Sequence, residues 1–243
     1  MTEFNGSPPE KRYPMPFTRV ELVVMGLVDG GLAVLLARRR EAPFAGRWAL
    51  PGGVLRIDLD TSLEQAARRV LRERLGLAAA PLRQLCASGG PRRDPRAPWT
   101  LSVVYRALVI PREFAPVTGK RVEALDWRHA AEAAADRSLA FDHADIIQRA
   151  LESTRSEVDA LALPYGLLPS PFTLAELQTA CEQVLGRSLD KSSFRRRLKD
   201  VPRLEPVKGA ARRGAFRPAQ LYRATGVDTT GSPLDPDSHR HRR

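Results

Sequence analysis

Cysteine is nearly absent: the 243 residues hold only Cys86 and Cys181. Two thiols in segments that read as separate units exclude a disulfide framework, and no Cys/His spacing matches a zinc site. Both are expected to be reduced and partly buried. Long apolar runs are missing as well. The longest, Gly31 to Ala37, falls far short of the ~20 residues a membrane-crossing helix needs. Residues 1–16 are polar and proline-rich rather than leader-like, so they are expected to be disordered and the chain cytoplasmic, with no membrane partner. Acidic charge is the third shortage. There are 28 Asp and Glu against 39 Lys and Arg, a formal net charge of +11, which suits a polyanionic partner. What remains, 43% hydrophobic and 28% charged, is the composition of a soluble globular protein long enough for two modest domains.

The most constraining stretch is Gly46 to Leu77, GRWALPGGVLRIDLDTSLEQAARRVLRERLGL. WALPGG reads as a strand turning into a loop, and a helix follows that ends at Gly76. Thr61 is the expected N-cap, and Glu64 three residues on completes a capping box. Leu63, Ala67, Leu71 and Leu75 form the apolar stripe.

This stretch resembles the Nudix box, G-x5-E-x7-R-E-U-x-E-E-x-G-U, where U is a bulky aliphatic residue. Gly53, Arg69, Leu71, Glu73, Gly76 and Leu77 stand on the pattern. The resemblance implies a Nudix fold without its metal chemistry. In Nudix hydrolases the box glutamates share one helix face and hold magnesium against a diphosphate. Here those positions are Val70, Glu73 and Arg74; the earlier glutamate falls on Thr61, and the loop from Gly53 is two residues longer than the pattern. One carboxylate beside an arginine is a poor site for a hard dication, and Glu73 is expected to pair with Arg69 one turn back. No residue is assigned a catalytic or metal-binding role.

Before the box, residues 17–39 read as two strands joined by a turn at Asp29, Gly30 and Gly31. Arg38, Arg39 and Arg40 follow, then Phe44, Arg47 and Trp48. Arginine for phosphate oxygens and a ring for a base suit a nucleotide. After the box come a strand over Arg83–Ser88, a charged loop containing Arg92, Arg93, Asp94 and Arg96, and a long strand from Trp99 to Ile110. A strand over Val122–Trp127 and a short helix over His129–Ala135 come next. Asp142 is expected to cap a long helix with a stripe through Ile146, Ile147, Ala150, Leu151, Thr154, Val158 and Leu161. His143 in its first turn is read as structural, since nothing nearby completes a triad or metal set.

LPYGLLPSP, residues 163–171, marks a boundary. Beyond it Phe172 and Thr173 are expected to open a helix with a capping box of Thr173 and Glu176. Asp190 caps a second helix, with Phe194, Leu198 and Val201 inward and Lys191, Ser192, Arg195, Arg196 and Lys199 outward. Strands over Arg203–Lys208 and Phe216–Tyr222 flank a basic loop, GAARRG, that holds Arg212 and Arg213. Between Arg187 and Arg223 the acidic residues are Asp190, Asp200 and Glu205. Helix, turn, helix and hairpin with a basic outer face is the order of a winged helix-turn-helix that binds double-stranded DNA.

The whole is similar to the NrtR family of bacterial transcriptional regulators over residues 18–224. WALPGG, RRDPR, LAFDH, FTLAELQ, LDKSSFRRRL and FRPAQLYR carry the resemblance, although the family helix has asparagine where Ser193 stands. The fold expected is an α/β Nudix-like sandwich domain, a mixed sheet with flanking helices, followed by a C-terminal winged helix-turn-helix domain. The divisions are 17–141, a linking helix and boundary at 142–168, the DNA-binding unit at 169–224, and a disordered basic tail at 225–243. The resemblance implies a homodimeric repressor on palindromic operators of NAD-metabolism genes, released by ADP-ribose or a related NAD derivative held in the old catalytic cleft. The effector residues assigned are Arg47, Trp48, Gly52, Gly53, Glu73, Arg93 and Asp94. Those for DNA are Lys191, Ser192, Arg195, Arg196, Lys199, Arg212 and Arg213. No cofactor is expected. The alternative is a magnesium-dependent ADP-ribose or nucleotide-sugar pyrophosphatase with an auxiliary nucleic-acid-binding module. It needs Asp58 or Asp60 to rebuild a metal site around Glu73. A third reading is an RNA-binding protein.

Overall fold

Strand β1 (Phe17–Val28) is apolar from Leu22 onward and buried from Arg19 to Gly26 because both of its faces are covered. Val20, Leu22 and Val24 pack with a helix on one side, while Val23 and Met25 join a second core on the other. This is a computed structural model that describes residues 15–77, 80–199, 201, 204–212 and 219–225. β1 turns into β2 (Gly31–Arg39) through Asp29 and Gly30 at φ +49° and +80°, the left-handed pair of a tight hairpin turn. Two short strands follow, β3 (Trp48–Ala49) and β4 (Gly52–Val54). After α1 (Leu63–Leu75) come β5 (Arg83–Pro91), β6 (Trp99–Leu108) and β7 (Val122–His129).

These strands make one mixed sheet in the order β3-β2-β1-β6-β5, with β4 also on β1 and β7 also on β2. The β1–β6 pair is parallel and the others are antiparallel. β1 is shared: Arg19–Glu21 pair with β4, and Met25–Val28 pair with β2. The split places Gly52 and Gly53 beside Glu21 and Val20 of β1.

α1 covers one face, burying Ala66, Ala67, Val70, Leu71 and Leu75, where full burial of each Leu contributes roughly 1.5–3 kcal/mol. Its cap differs from the expected Thr61–Glu64 box. Ser62 is the N-cap and accepts from the Gln65 N–H, while the Gln65 side chain accepts from Thr61. Hydroxyl residues at 61 and 62 each have an acceptor three residues on, so the motif fits both registers. Gly76 ends the helix at φ +67°, where a Cβ would stand 2.2 Å from Val117 Cγ2.

The other face is covered by α2 (Ala130–Ala135) and α3 (His143–Asp159). α3 buries Ile146, Ile147, Ala150, Leu151, Thr154 and Val158 of the expected stripe, while Leu161 lies past the helix end at φ +60° and is only half-buried. Arg106 of β6, 5% exposed, ties its far end to the sheet by donating to Thr154 Oγ1 at 2.9 Å and to Glu157 at 2.7 Å. Asp142 makes no side-chain cap bond, contrary to expectation, because Arg93 and Ser88 hold its carboxylate.

The C-terminal unit is β8 (Phe172–Thr173), α4 (Leu174–Leu185), α5 (Lys191–Leu198), β9 (Leu204–Arg212) and β10 (Ala219–Ala224), with β8, β10 and β9 in one sheet. Phe172 and Thr173 do not begin the helix. They pair with Tyr222 and Leu221, and Thr173 then caps α4 in the capping box expected with Glu176. Asp190 caps α5 through the Ser193 N–H at 2.8 Å. β9 runs through the first part of GAARRG, so Arg212 lies on a strand rather than in a loop. Arg213, residues 216–218 of the expected last strand, most of the 1–16 segment and residues 226–243 lie outside the described residues. Phe172, Leu177, Cys181, Val184, Phe194 and Leu198 continue the core that α3 shares with the sheet. Cys181 is buried and Cys86 half-buried, both free, and burial pushes the Cys181 thiol up to about 12.

Candidate functional site: an arginine-lined cleft and a basic helix face

A cleft of about 570 Å³, counted with its open mouth, lies between the end of β2, the start of β4 beside β1, Arg74 of α1 and Arg121. Arg19, Arg38, Arg39, Arg74, Arg96 and Arg121 line it against the single acid Glu41. Four of the six have a carboxylate partner. Arg19 lies near Glu21 and Asp94, Arg38 on Glu123, Arg96 on Asp94 and Arg121 on Glu41. Arg39 and Arg74 have none within ion-pair distance among the described residues. Arg39 donates to Pro43 O at 2.7 Å, and Arg74 to Gly52 O at 3.1 Å and to Lys120 O. Burial pushes the Arg39 guanidinium down to about 10, and Arg19 and Arg96 push the same way. Arg74 is lowered by burial and then by Arg121. Two cations without an ion-pair partner facing one cleft are suited to an anion, and forked donors suit phosphate oxygens.

At the Nudix-box positions the carboxylates of the pattern are either replaced or already paired. Val70 is buried beneath Gly53, where a Cβ would meet Val70 Cγ2 at 2.7 Å. Glu73 pairs with Arg69 at 3.3 Å, as expected, and Arg74 holds the third position with its guanidinium over Gly52. Asp60 accepts two bonds from Arg69, and Asp58 is taken by Arg56 at 2.6 Å. The Arg69 guanidinium holds the Asp60 carboxyl below the usual carboxylate range. No group of three or more His, Cys, Asp or Glu side chains able to hold a metal occurs among the described residues. The donor set therefore does not fit magnesium.

Of the effector residues read from sequence, Gly52 and Gly53 line the cleft. The other five are not among the residues that line it. Arg47 is exposed with its guanidinium 5.5 Å from the Phe44 ring, and Trp48 lies under Arg128 at 4.6 Å. Glu73 is bound to Arg69 on α1. Arg93 and Asp94 form the wall behind. Arg93 joins Glu21 at 2.9 Å, Asp142 at 2.6 Å and Ser102, while Asp94, 1% exposed, grips Arg96 and Arg19. Burial alone would push the Glu21 carboxyl up, but His143, Arg93 and Arg19 outweigh it and hold the group well below the ordinary range. His143 is structural, as expected: its Nδ1 accepts from the Leu50 N–H at 2.8 Å. Arg19 and Arg121 were not legible as site residues, since strand pairing and a loop bring them in. Arg39 belongs to the arginine run at the end of β2 that reads as suited to phosphate, whereas Arg74 reads only as a box position without its glutamate and is not assigned to the ligand from sequence.

On the second unit, Lys191, Ser192, Arg195, Arg196 and Lys199 are all exposed along the outer side of α5, at the i, i+4 and i+8 spacing of one helix face. Arg197 turns the other way and donates to Asp159 O at the end of α3, with Arg187 on the Asp159 carboxylate at 2.5 Å.

Two family models match the chain: the NUDIX domain over residues 18–150 and the NrtR DNA-binding winged helix domain over residues 164–224. The chain is 36% identical over 211 residues to the ADPR responsive transcriptional repressor NtrR of Acinetobacter baylyi, covering 87% of this chain and 83% of that one. The chain belongs to the NrtR family. Among solved structures, Shewanella oneidensis NrtR complexed with a 27mer DNA matches this NrtR-family fold with TM-score 0.73 and 35% identity, over 88% of this chain and 96% of that one. The NUDIX domain of Shewanella oneidensis NrtR complexed with ADP ribose matches with TM-score 0.53 and 34% identity, over 63% of this chain and 99% of that one. The Nudix-then-winged-helix architecture expected from sequence is thus the fold of the family. Among the described residues no helix is long and apolar enough to cross a membrane.

Proposed function

We propose that this chain is a transcriptional repressor that senses ADP-ribose, or a closely related NAD-derived nucleotide, in the arginine cleft and releases its operator when the ligand binds. The observation that carries the reading is Arg74. It stands where the Nudix pattern has a glutamate, donates to main-chain carbonyls at the cleft, and with Arg39 leaves two positive charges without a carboxylate. A diphosphate brings two negative charges, which these guanidiniums meet without magnesium. A cleft that binds without hydrolysing suits a sensor, because turnover would destroy the signal. The pyrophosphatase alternative needs carboxylates that are already bound to Arg56 and Arg69.

The exposed basic face of α5 supplies phosphate and base-edge contacts in a major groove, and the similar Shewanella protein is described with duplex DNA. Two copies bound to a palindromic operator upstream of NAD-metabolism genes complete the reading. A ligand that prefers the free conformation weakens DNA binding by the same factor that DNA weakens it. Calorimetry of ADP-ribose binding in excess EDTA, with chromatography of the recovered ligand, tests the sensor. Metal-independent binding and intact ADP-ribose are expected; binding that needs magnesium, or product in the recovered fraction, would refute it.

A further inference from the structure

Resting on that reading of the cleft, we propose that Phe141 is the positioning residue through which the cleft's arginines set the head of α3, and hence the DNA-binding unit. Phe141 immediately precedes Asp142 and His143, where α3 begins. Its ring lies under two cleft arginines, 5.0 Å from the Arg39 guanidinium and 5.6 Å from that of Arg19. The Phe44 ring stands against it edge-on at 4.9 Å. Its backbone sits at φ +59°, a left-handed conformation that a residue with a bulky side chain holds only when its surroundings impose it.

The next two residues are fastened to the same wall. Asp142 is held by Arg93, His143 accepts from Leu50 N–H, and Glu21 faces Arg19, Arg93 and His143 together. Three buried atoms of this network, Arg19 Nε, Asp142 Oδ1 and His143 Nε2, make no hydrogen bond of good geometry, so the arrangement is one that a modest shift can improve. At its far end α3 meets the DNA-binding unit through Asp159 with Arg187 and Arg197. A diphosphate that draws Arg39 toward Arg74 takes a cation off the Phe141 ring. The support for the left-handed turn weakens, and the start of α3 moves relative to the cleft.

The test measures coupling rather than either affinity alone. In full-length protein, Phe141→Leu keeps apolar bulk and removes the π face. Operator affinity, on a duplex from upstream of the chain's own gene, is measured by anisotropy with and without saturating ADP-ribose, and ADP-ribose affinity by calorimetry. Phe141→Leu should leave each affinity within about threefold while cutting the ligand-induced loss of operator affinity by about tenfold or more. Phe141→Tyr, which keeps the ring, should retain it. Release by Phe141→Leu equal to the parent's would overturn the proposal while leaving the sensor reading intact; a parent that shows no release would overturn both. Hydrogen exchange on the unaltered protein gives a reading free of folding defects. ADP-ribose should change the protection of amides 141–147, and no change there would overturn the coupling.

Discussion

The Arg69 guanidinium donates two hydrogen bonds to the Asp60 carboxylate, from Nε at 2.8 Å and Nη2 at 2.7 Å. A third goes to Val54 O at 2.9 Å, and Glu73 receives a weaker one at 3.3 Å. One buried arginine of the box thus fastens the lengthened loop onto α1 and engages both the Asp60 and Glu73 carboxylates. Asp60→Asn should cost about 2 kcal/mol of stability, the worth of hydrogen bonds to a charged partner, as measured by denaturant unfolding. Magnesium at millimolar level should leave the melting temperature of the parent unchanged, and a clear rise would show a metal site.

Arg39 and Arg74 should each matter to the ligand and not to DNA. Replacing either by Ala is expected to weaken ADP-ribose binding by about ten- to a hundredfold, the loss of charge-assisted hydrogen bonds. Operator affinity without ligand should stay close to the parent's. Calorimetry and anisotropy on the same preparations check the pair of outcomes.

The double substitution Arg195→Ala with Arg196→Ala should abolish operator binding while ADP-ribose affinity survives. Where residual binding is measurable, each phosphate contact removed should shallow the slope of log K against log salt by about 0.9. Loss of both activities together would point to misfolding of the domain instead.

Much of this was legible because the signals are local. Thr173 with Glu176, Asp190 with Ser193, and the left-handed glycines Gly76 and Gly186 fix helix ends within a few residues. The α3 stripe could be read from spacing for the same reason. The start of α1 could not be fixed, because Thr61 and Ser62 offer equivalent hydroxyls and the tie between Asp60 and Arg69, nine residues apart, is not visible in a capping pattern. The wall behind the cleft was less legible. Arg93 and Asp142 are 49 residues apart, so nothing local to the charged loop shows that it holds Glu21 and the head of α3. The cleft itself gathers arginines from β1, β2, α1 and two loops, which only the sheet topology brings together.

Glu21 gives the fold a specific acid dependence. Its folded pKa lies below the ordinary glutamate value of 4.5, so its stabilisation is fully present above that value and is lost as pH falls through the folded pKa. Glu21→Gln leaves Arg93 and Arg19 underpaired and should cost about 3 kcal/mol or more at pH 7. The gap from the parent should narrow below about pH 4.5, as followed by thermal unfolding between pH 8 and 3.5. A gap constant across that range would exclude Glu21 as a buried carboxylate.

The most direct test is fluorescence anisotropy of the full-length protein on the duplex from upstream of its own gene, titrated with ADP-ribose in EDTA and again with magnesium. Tight binding that intact ADP-ribose releases equally under both conditions is the predicted result. No binding to DNA, together with ADP-ribose consumed only when magnesium is present, would contradict the account and make the chain a hydrolase.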